Sequence, residues 1–348
     1  MLTVKGKGGI TATIVADSKS SVDGQRITTF LLTYHRYIHS ELMTHRLFSR
    51  NAASSRAIPV DTVLALVKAS PAIPVHWGKN QAGMQANEEC DNKVRDCIRG
   101  QMPVSNKEAW QSAGMSASQF ADSFNCAGYH KQIVNRLVEP FQMIRVLVTA
   151  TSFDNFFKLR FHKDAQPEIA ELALCMLVGY NKNVPEVLKP GEWHTPFVDH
   201  LRDEDGLKYV VYDIDDGQGF YQDVETAIKV SCSCAAQTSY RKADTSIEKA
   251  IAIYDKLIGS DPAHSSAFEH CATPAVEYGV TRVNGPYDVM SWQEGITHVD
   301  YRGQLWSNNF EGWIQYRALI PNNVCTQFDY GQEVNMDGLE IIEEDENV

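Results

Sequence analysis

Ile10-Thr11-Ala12-Thr13-Ile14-Val15 and Ile27-Thr28-Thr29-Phe30-Leu31-Leu32 are two β-branched runs with Asp23-Gly24 between them. Such runs suit a pleated surface, and Asp-Gly supplies the positive φ of a tight turn, so the spacing predicts a β-hairpin. Working outward, Tyr37 to Leu47 has no Gly or Pro and places Ile38 and Leu42 on one face, which predicts a helix. The small, polar run Ser49 to Arg56, closed by Pro59, reads as a loop. A short helix is expected over residues 61–69, then an irregular excursion over 71–89 rich in Gly, Gln and Asn. Helical patterning resumes with breaks from Glu108 to Val138 and is expected to stop at Pro140. Met143 to Thr149 predicts a buried strand. Phe153 to Phe161 and Pro167 to Tyr180 predict helices, with Pro167 suited to a first helical turn. Leu207 to Tyr212 predicts a strand and Ser246 to Leu257 a helix. No internal repeat and no Ser/Gly-rich linker divides the chain. The fold class expected is a single α/β (α+β) domain with long insertions over residues 1–330, followed by an acidic tail, 331–348.

The composition, 43% hydrophobic and 22% charged over 348 residues, is that of a globular protein and excludes a disordered or fibrous one. There are 32 basic against 44 acidic residues, a net charge of −12. That sign argues against a nucleic-acid polymer as partner. The deficit is steepest from Glu333 to Val348, which holds no Lys or Arg. No apolar run approaches the roughly 20 residues that cross a bilayer, so no membrane association is expected. Met1 to Gly8 lacks the apolar stretch of a secretory signal, and the expected location is cytoplasmic. The eight cysteines then read as reduced thiols, and the absence of any C-x2-C pair argues against structural zinc.

Three clusters carry chemistry. The first, Thr44 to Arg56, holds His45, Arg46, Arg50 and Arg56 among serines and alanines, with no acidic residue between Glu41 and Asp61. Forked guanidinium donors match a phosphate, and serine hydroxyls with loop amides complete such a site. The same residues also suit a solvated loop pairing with surface carboxylates. In the second cluster, Asn155 to Ile169, Phe156, Phe157 and Leu159 would pack inward, while Arg160 alone could be a cap on helix carbonyls. The third, His264 to His270, combines two histidines with Glu269, but their order does not match the H-E-x-x-H helix pattern, so no metal is expected.

These clusters also carry a resemblance. His45-Arg46-x-x-Ser49-x-Asn51-x-x-Ser54-x-Arg56 resembles the R-H-R-x-x-S-x-N-E-x-S-x-R signature of the flavin-dependent thymidylate synthases. Asn155, Phe156, Leu159, Arg160, Ala165, Gln166, Glu168 and Ile169 match that family's N-F-x-x-L-R-x-x-x-x-A-Q-x-E-I segment. Arg136 stands shortly before Pro140, and His264-x-Ser266-x-Phe268-Glu269-His270 is similar to the family's H-x-T/S-P-F-E-H. The last segment follows the arginine motif here instead of preceding it, an order resembling long bacteriophage homologues. Thr44, Ala52 and Ala267 replace the motif's first Arg, its Glu and a Pro.

The resemblance implies a mixed β-sheet flanked by helices and a homotetramer with shared active sites. It implies transfer of a one-carbon unit from 5,10-methylenetetrahydrofolate to dUMP, with FAD relaying reducing equivalents from NADPH. Ser54, Arg56, Arg136 and Arg160 would hold the nucleotide, with Arg160, Arg56 and His45 as catalytic residues. His45, Arg46, Asn51, Asn155, His264, Ser266 and Glu269 would lie along the flavin and folate, and Gln315-Tyr316-Arg317 is a further candidate. Ala52 leaves open a sister enzyme that methylates or hydroxymethylates another pyrimidine nucleotide such as dCMP. A binder of flavin and nucleotide without turnover is the third alternative. Because reduced flavin can deliver hydride directly, no cysteine is expected to act as nucleophile.

Overall fold

The computed structural model describes residues 1–98, 100–212, 217–239, 245–261, 263–276 and 292–331. Nearly all of the expected acidic tail, from residue 332 onward, lies outside them. The two β-branched runs pair as predicted. β1 (Leu2–Lys5), β2 (Thr11–Ser20) and β3 (Arg26–His35) lie antiparallel, with Gly24 at φ +78° in the β2–β3 turn. The predicted helix Tyr37–Leu47 is shorter in the structure, a 3-10 turn Arg36–Ile38 followed by α1 (His39–Met43). Arg50 helps end it, donating from Nη1 to the carbonyls of Met43 at 2.8 Å and His45 at 3.3 Å. β4 (Ser49–Ala52) occupies the first half of the predicted loop and corrects that reading. Its backbone groups pair with the strand Met143–Ala150, whose amides would otherwise have no partner on that edge.

α2 (Val60–Ala69) stands where expected. Beyond it the excursion carries a small hairpin, β5 (Val94–Asp96) with β6 (Met102–Val104). α3 (Asn106–Cys126) starts at a reciprocal Ser105–Glu108 capping box. α4 (Lys131–Val134) runs into a 3-10 turn, Asn135–Phe141, which contains Pro140 instead of stopping before it. Val63, Leu64, Val67, Ala121, Val134 and Val138 bind these pieces into one small core.

β7 (Met143–Ala150) inserts between β3 and β4, giving the order β1-β2-β3-β7-β4, and α5 (Asp154–Arg160) and α6 (Pro167–Lys182) follow it. β8 (Glu186–Leu188) adds parallel to β2. Strand residues alternate between faces. Phe30, Leu32, Val146 and Val148 meet Ile169, Leu172 and Met176 of α6 on one side. A second sheet of β9 (Asp199–Asp203), β10 (Gly206–Tyr212) and β11 (Gly219–Gln222) is backed by α7 (Val224–Ala236) and α8 (Ile247–Ile258). The end of α7 and the 3-10 segment Ser265–His270 cover the other face of the central sheet, where Val15, Leu147, Ala235 and Ala267 pack together. β12 (Ala272–Pro274), β13 (His298–Val299), β14 (Leu305–Ser307), β15 (Phe310–Glu311) and β16 (Trp313–Gln315) close that side, β12 pairing with β16. The fold is thus a mixed sheet flanked by helices. No helix among the described residues is long and apolar enough to cross a membrane.

One polar node ties the hairpin to α6. Asp17, whose side chain is only 2% exposed, accepts from Arg26 Nε at 2.8 Å, Thr28 Oγ1 at 2.9 Å and Asn183 Nδ2 at 2.7 Å. Arg26 in turn donates to the Tyr180 carbonyl at 2.8 Å and stacks 3.7 Å from that ring's centre. Replacing Asp17 with Ala strands a half-buried guanidinium and should lower stability by about 3 kcal/mol. Urea denaturation should show a lower midpoint at unchanged slope.

Candidate functional site

The loop after β4 meets the turn Asn135–Phe141 because Asn135 sews them together. Its fully buried Nδ2 donates to the carbonyls of Ser55 at 2.7 Å and Ile58 at 3.0 Å. Between them opens a cleft of about 600 Å³ lined by Arg36, His39, Ser54, Arg56, Arg136 and Glu139, among others. Three of the four expected nucleotide residues, Ser54, Arg56 and Arg136, therefore converge. The Ser54 hydroxyl accepts from the Arg56 amide at 3.3 Å, shaping the loop. Arg36 is paired with Glu139 at 3.3 Å, whereas the exposed guanidinium groups of Arg56 and Arg136 have no carboxylate partner among the described residues. Three arginines against one carboxylate leave a cationic cleft suited to an anion. Arg36 and His39 were missed by the sequence reading, although Tyr34-His35-Arg36-Tyr37-Ile38-His39 is a conspicuous basic and aromatic run. His39 Nδ1 bonds the Tyr34 hydroxyl at 2.8 Å, and burial, then Arg36 and Arg50, push its pKa down.

Arg160 stands apart from this cleft. It lines a neighbouring one of about 1090 Å³, which shares Tyr37 and Pro140 with the first and is roofed by residues of the 71–89 excursion. Its donors are engaged within the chain, by Glu41 Oε2 at 3.1 Å, His45 Nε2 at 3.0 Å and Thr44 Oγ1 at 3.3 Å. Thr44, in place of the motif's arginine, thus serves as an acceptor for Arg160. His45 is 7% exposed and packs edge-on to Phe156, 4.9 Å between centroids. Burial, then Arg160 and Arg50, bring its pKa down to about 4. The Arg160 bond assigns the acceptor role to Nε2 and the proton to Nδ1.

A third group gathers where β4, the segment Ser265–His270 and the run Gln315–Arg317 meet. Gln315 Nε2 donates to Ser49 Oγ at 3.2 Å and the Glu269 carbonyl at 3.4 Å, and Arg317 forms an ion pair with Glu269. Arg50 lies within electrostatic reach of Glu269 and Arg46. Asn51 donates to the Ala235 carbonyl at 3.2 Å, and its buried Oδ1 has no hydrogen-bond partner among the described residues. His264 and Ser266 are exposed on the adjoining turn, as are Arg46 and, on α5, Asn155. Ala267, where the motif has proline, is buried against α7.

All eight cysteines are free thiols, and none lines either cleft. Burial pushes Cys175 up to about 11 and raises Cys232 well above the ordinary thiol range. Among the described residues no group of His, Cys, Asp and Glu is arranged to hold a metal ion.

No family model and no curated protein matches the chain. Among solved structures it is similar to a UMP/dUMP methylase, PolB, from Streptomyces cacaoi, bound with 5-Br UMP. The identity is 18%, the match covers 51% of this chain and 92% of that one, and the TM-score is 0.37. At that level the likeness assigns neither substrate nor chemistry here.

His45 gives a pH prediction with a definite sign. Its folded pKa of about 4 lies below the ordinary 6.5, so on acidification the unfolded chain takes up the proton first. The stabilisation from neutral His45 is full above pH 6.5 and is lost as pH falls toward about 4. Histidine NMR should find a midpoint near 4, and a midpoint near 6.5 would show that the ring is not held as described.

Proposed function

We propose that the protein is a pyrimidine-nucleotide C5 methylase of the flavin-dependent thymidylate synthase type, converting dUMP to dTMP. The single observation that carries this reading is the convergence of Ser54, Arg56 and Arg136 on one cationic cleft, from segments far apart in sequence. Arg56 and Arg136 hold the nucleotide phosphate with forked charge-assisted bonds, and Ser54 adds a hydroxyl. Glu139 offers an acceptor to a base N–H in the same cleft.

The third group of residues fits FAD by its chemistry. Arg46 and Arg50 supply cationic donors for a diphosphate, and the unpartnered Oδ1 of Asn51 supplies a buried acceptor. When bound, FAD supplies the hydride that NADPH provides and that the pyrimidine receives. Glu269 orients Arg317, while His45 and Glu41 fix Arg160 at the wall of the larger cleft. 5,10-Methylenetetrahydrofolate is the carbon donor. Asn155, His264 and Ser266 face outward in one chain, and in this reading they complete sites shared by a homotetramer. The high thiol pKa values of Cys175 and Cys232, and the absence of any cysteine from the clefts, favour a route without a covalent enzyme–pyrimidine bond.

The deciding experiment incubates the protein with FAD, NADPH, methylenetetrahydrofolate and either dUMP or dCMP, with product identified by mass. Methylated dUMP is expected. Product from dCMP alone, or a hydroxymethyl mass, would favour the sister enzyme that Ala52 leaves open. Flavin bound without substrate-dependent oxidation would mark a binder.

Arg56→Ala or Arg136→Ala should weaken dUMP binding by about 2 kcal/mol in calorimetry, with flavin content little changed. Unaltered affinity in both would remove the cleft from nucleotide binding. Each cysteine changed singly to Ala or Ser should retain turnover; a folded, flavin-loaded variant slowed by about a thousandfold would instead identify a thiolate nucleophile.

A further inference from the structure

The sheet face opposite α6 carries a buried chain of polar side chains that the nucleotide and flavin residues do not include. Ser18 Oγ lies 2.9 Å from His194 Nδ1, and His194 Nε2 lies 2.8 Å from Thr29 Oγ1. Thr29 Oγ1 lies 2.7 Å from Thr149 Oγ1, which lies 2.8 Å from His270 Nδ1. All five residues are buried, at 2% exposure or less. His270 Nε2 is buried as well and has no hydrogen-bond partner among the described residues. The other end is different. Ser18 borders a surface cleft of about 320 Å³ together with Asp17, Glu186, Asp199 and His200.

We propose that Ser18, His194, Thr29, Thr149 and His270 form a proton wire across the central sheet, running from this surface cleft to the residue beside Glu269. Its use in turnover rests on the methylase reading above. Burial lowers the pKa of both histidines, so each ring is neutral and carries one N–H. A hydroxyl has one proton to give. If His194 carries its proton on Nε2, it donates to Thr29, Thr29 donates to Thr149, and Thr149 donates to His270 Nδ1, leaving His270 protonated on Nε2. If His270 carries its proton on Nδ1, every bond reverses and His194 is protonated on Nδ1. With every hydroxyl proton in use, both histidines always share the same tautomer.

The two polarities are the two states of a relay. A proton arriving at Ser18 displaces the Ser18 proton to His194 Nδ1, each N–H or O–H bond breaking as the next forms. A different proton then leaves His270 Nε2. Moving a methylene from folate to the pyrimidine and reducing it to methyl takes up one hydride, from NADPH, and one proton from solvent. The departing carbon frees two folate nitrogens, of which one regains its N–H with the proton that C5 of the pyrimidine gives up and the other with this proton, passed on from His270 Nε2. The wire resets when the hydroxyls rotate and each ring gives its Nδ1 proton to solvent and takes one on Nε2 from solvent, admitted by local opening of the covering segments.

The test uses the full-length chain labelled with ¹⁵N-histidine. Long-range ¹H–¹⁵N spectra should show matching tautomers for His194 and His270, Thr29→Val should unlink them, and Thr29→Ser should keep them linked. Opposite tautomers in the unsubstituted protein would overturn the wire, as would tautomers that stay locked together in Thr29→Val. In turnover, Thr29→Val should lower kcat by about tenfold or more with KM for dUMP unchanged, and Thr29→Ser should restore it. An unchanged kcat in folded Thr29→Val would overturn the role in catalysis. A protein that turns over no pyrimidine nucleotide would overturn the methylase reading, whereas the tautomers judge the wire by themselves.

Discussion

The arrangement depends on the register that sets Thr149 of β7 opposite Thr29 of β3 on one side and Ser49 of β4 on the other. Strand alternation then gives β7 two different faces. Val146, Val148 and Ala150 enter the apolar core under α6, while Thr149 turns to the face covered by the segment Ser265–His270. A slip by one residue would bury the hydroxyls under α6 and expose the valines to His194 and His270. The same register delivers Asn51 and, just beyond it, Ser54 and Arg56 to their places. Chemistry and packing are therefore fixed by one pairing.

Much of this was legible because local pattern and tertiary role agree. The hairpin, β7, α2, α5, α6, β10 and α8 each carry the period of the element they form. β4 was misread because Ser49-Arg50-Asn51-Ala52 has no strand character of its own and is extended by its neighbour β7. α7 escaped notice for a related reason. Its second half, Val230 to Ala235, is buried all round, so the Ser-Cys-Ser-Cys-Ala-Ala end shows no apolar stripe against a polar one.

The site divides along similar lines. Motif spacing pointed to Ser54, Arg56 and Arg136, which meet because Asn135 bridges their two segments. It could not show that Arg160 is engaged by Glu41, since Glu41 lies in a helix whose end depends on Arg50. Nor could it find Arg36, which enters the cleft from the turn after β3. His194 carries no motif at all; only its place beside β12 makes it the neighbour of Thr29.

Ala72 N donates to the Phe141 carbonyl at 2.9 Å and its own carbonyl accepts from Trp110 Nε1 at 2.8 Å, while Val75 N donates to Glu168 Oε1 at 2.9 Å, so the excursion over 71–89 is tied to the body close to where it departs. Beyond these ties, doubling the length of a flexible stretch adds only about 0.6 kcal/mol of closure entropy. The material roofing the larger cleft is in that sense modular. Its length and composition can drift over evolutionary time with little effect on the pairing of β3, β7 and β4, so neighbouring clefts of one molecule are free to diversify at different rates.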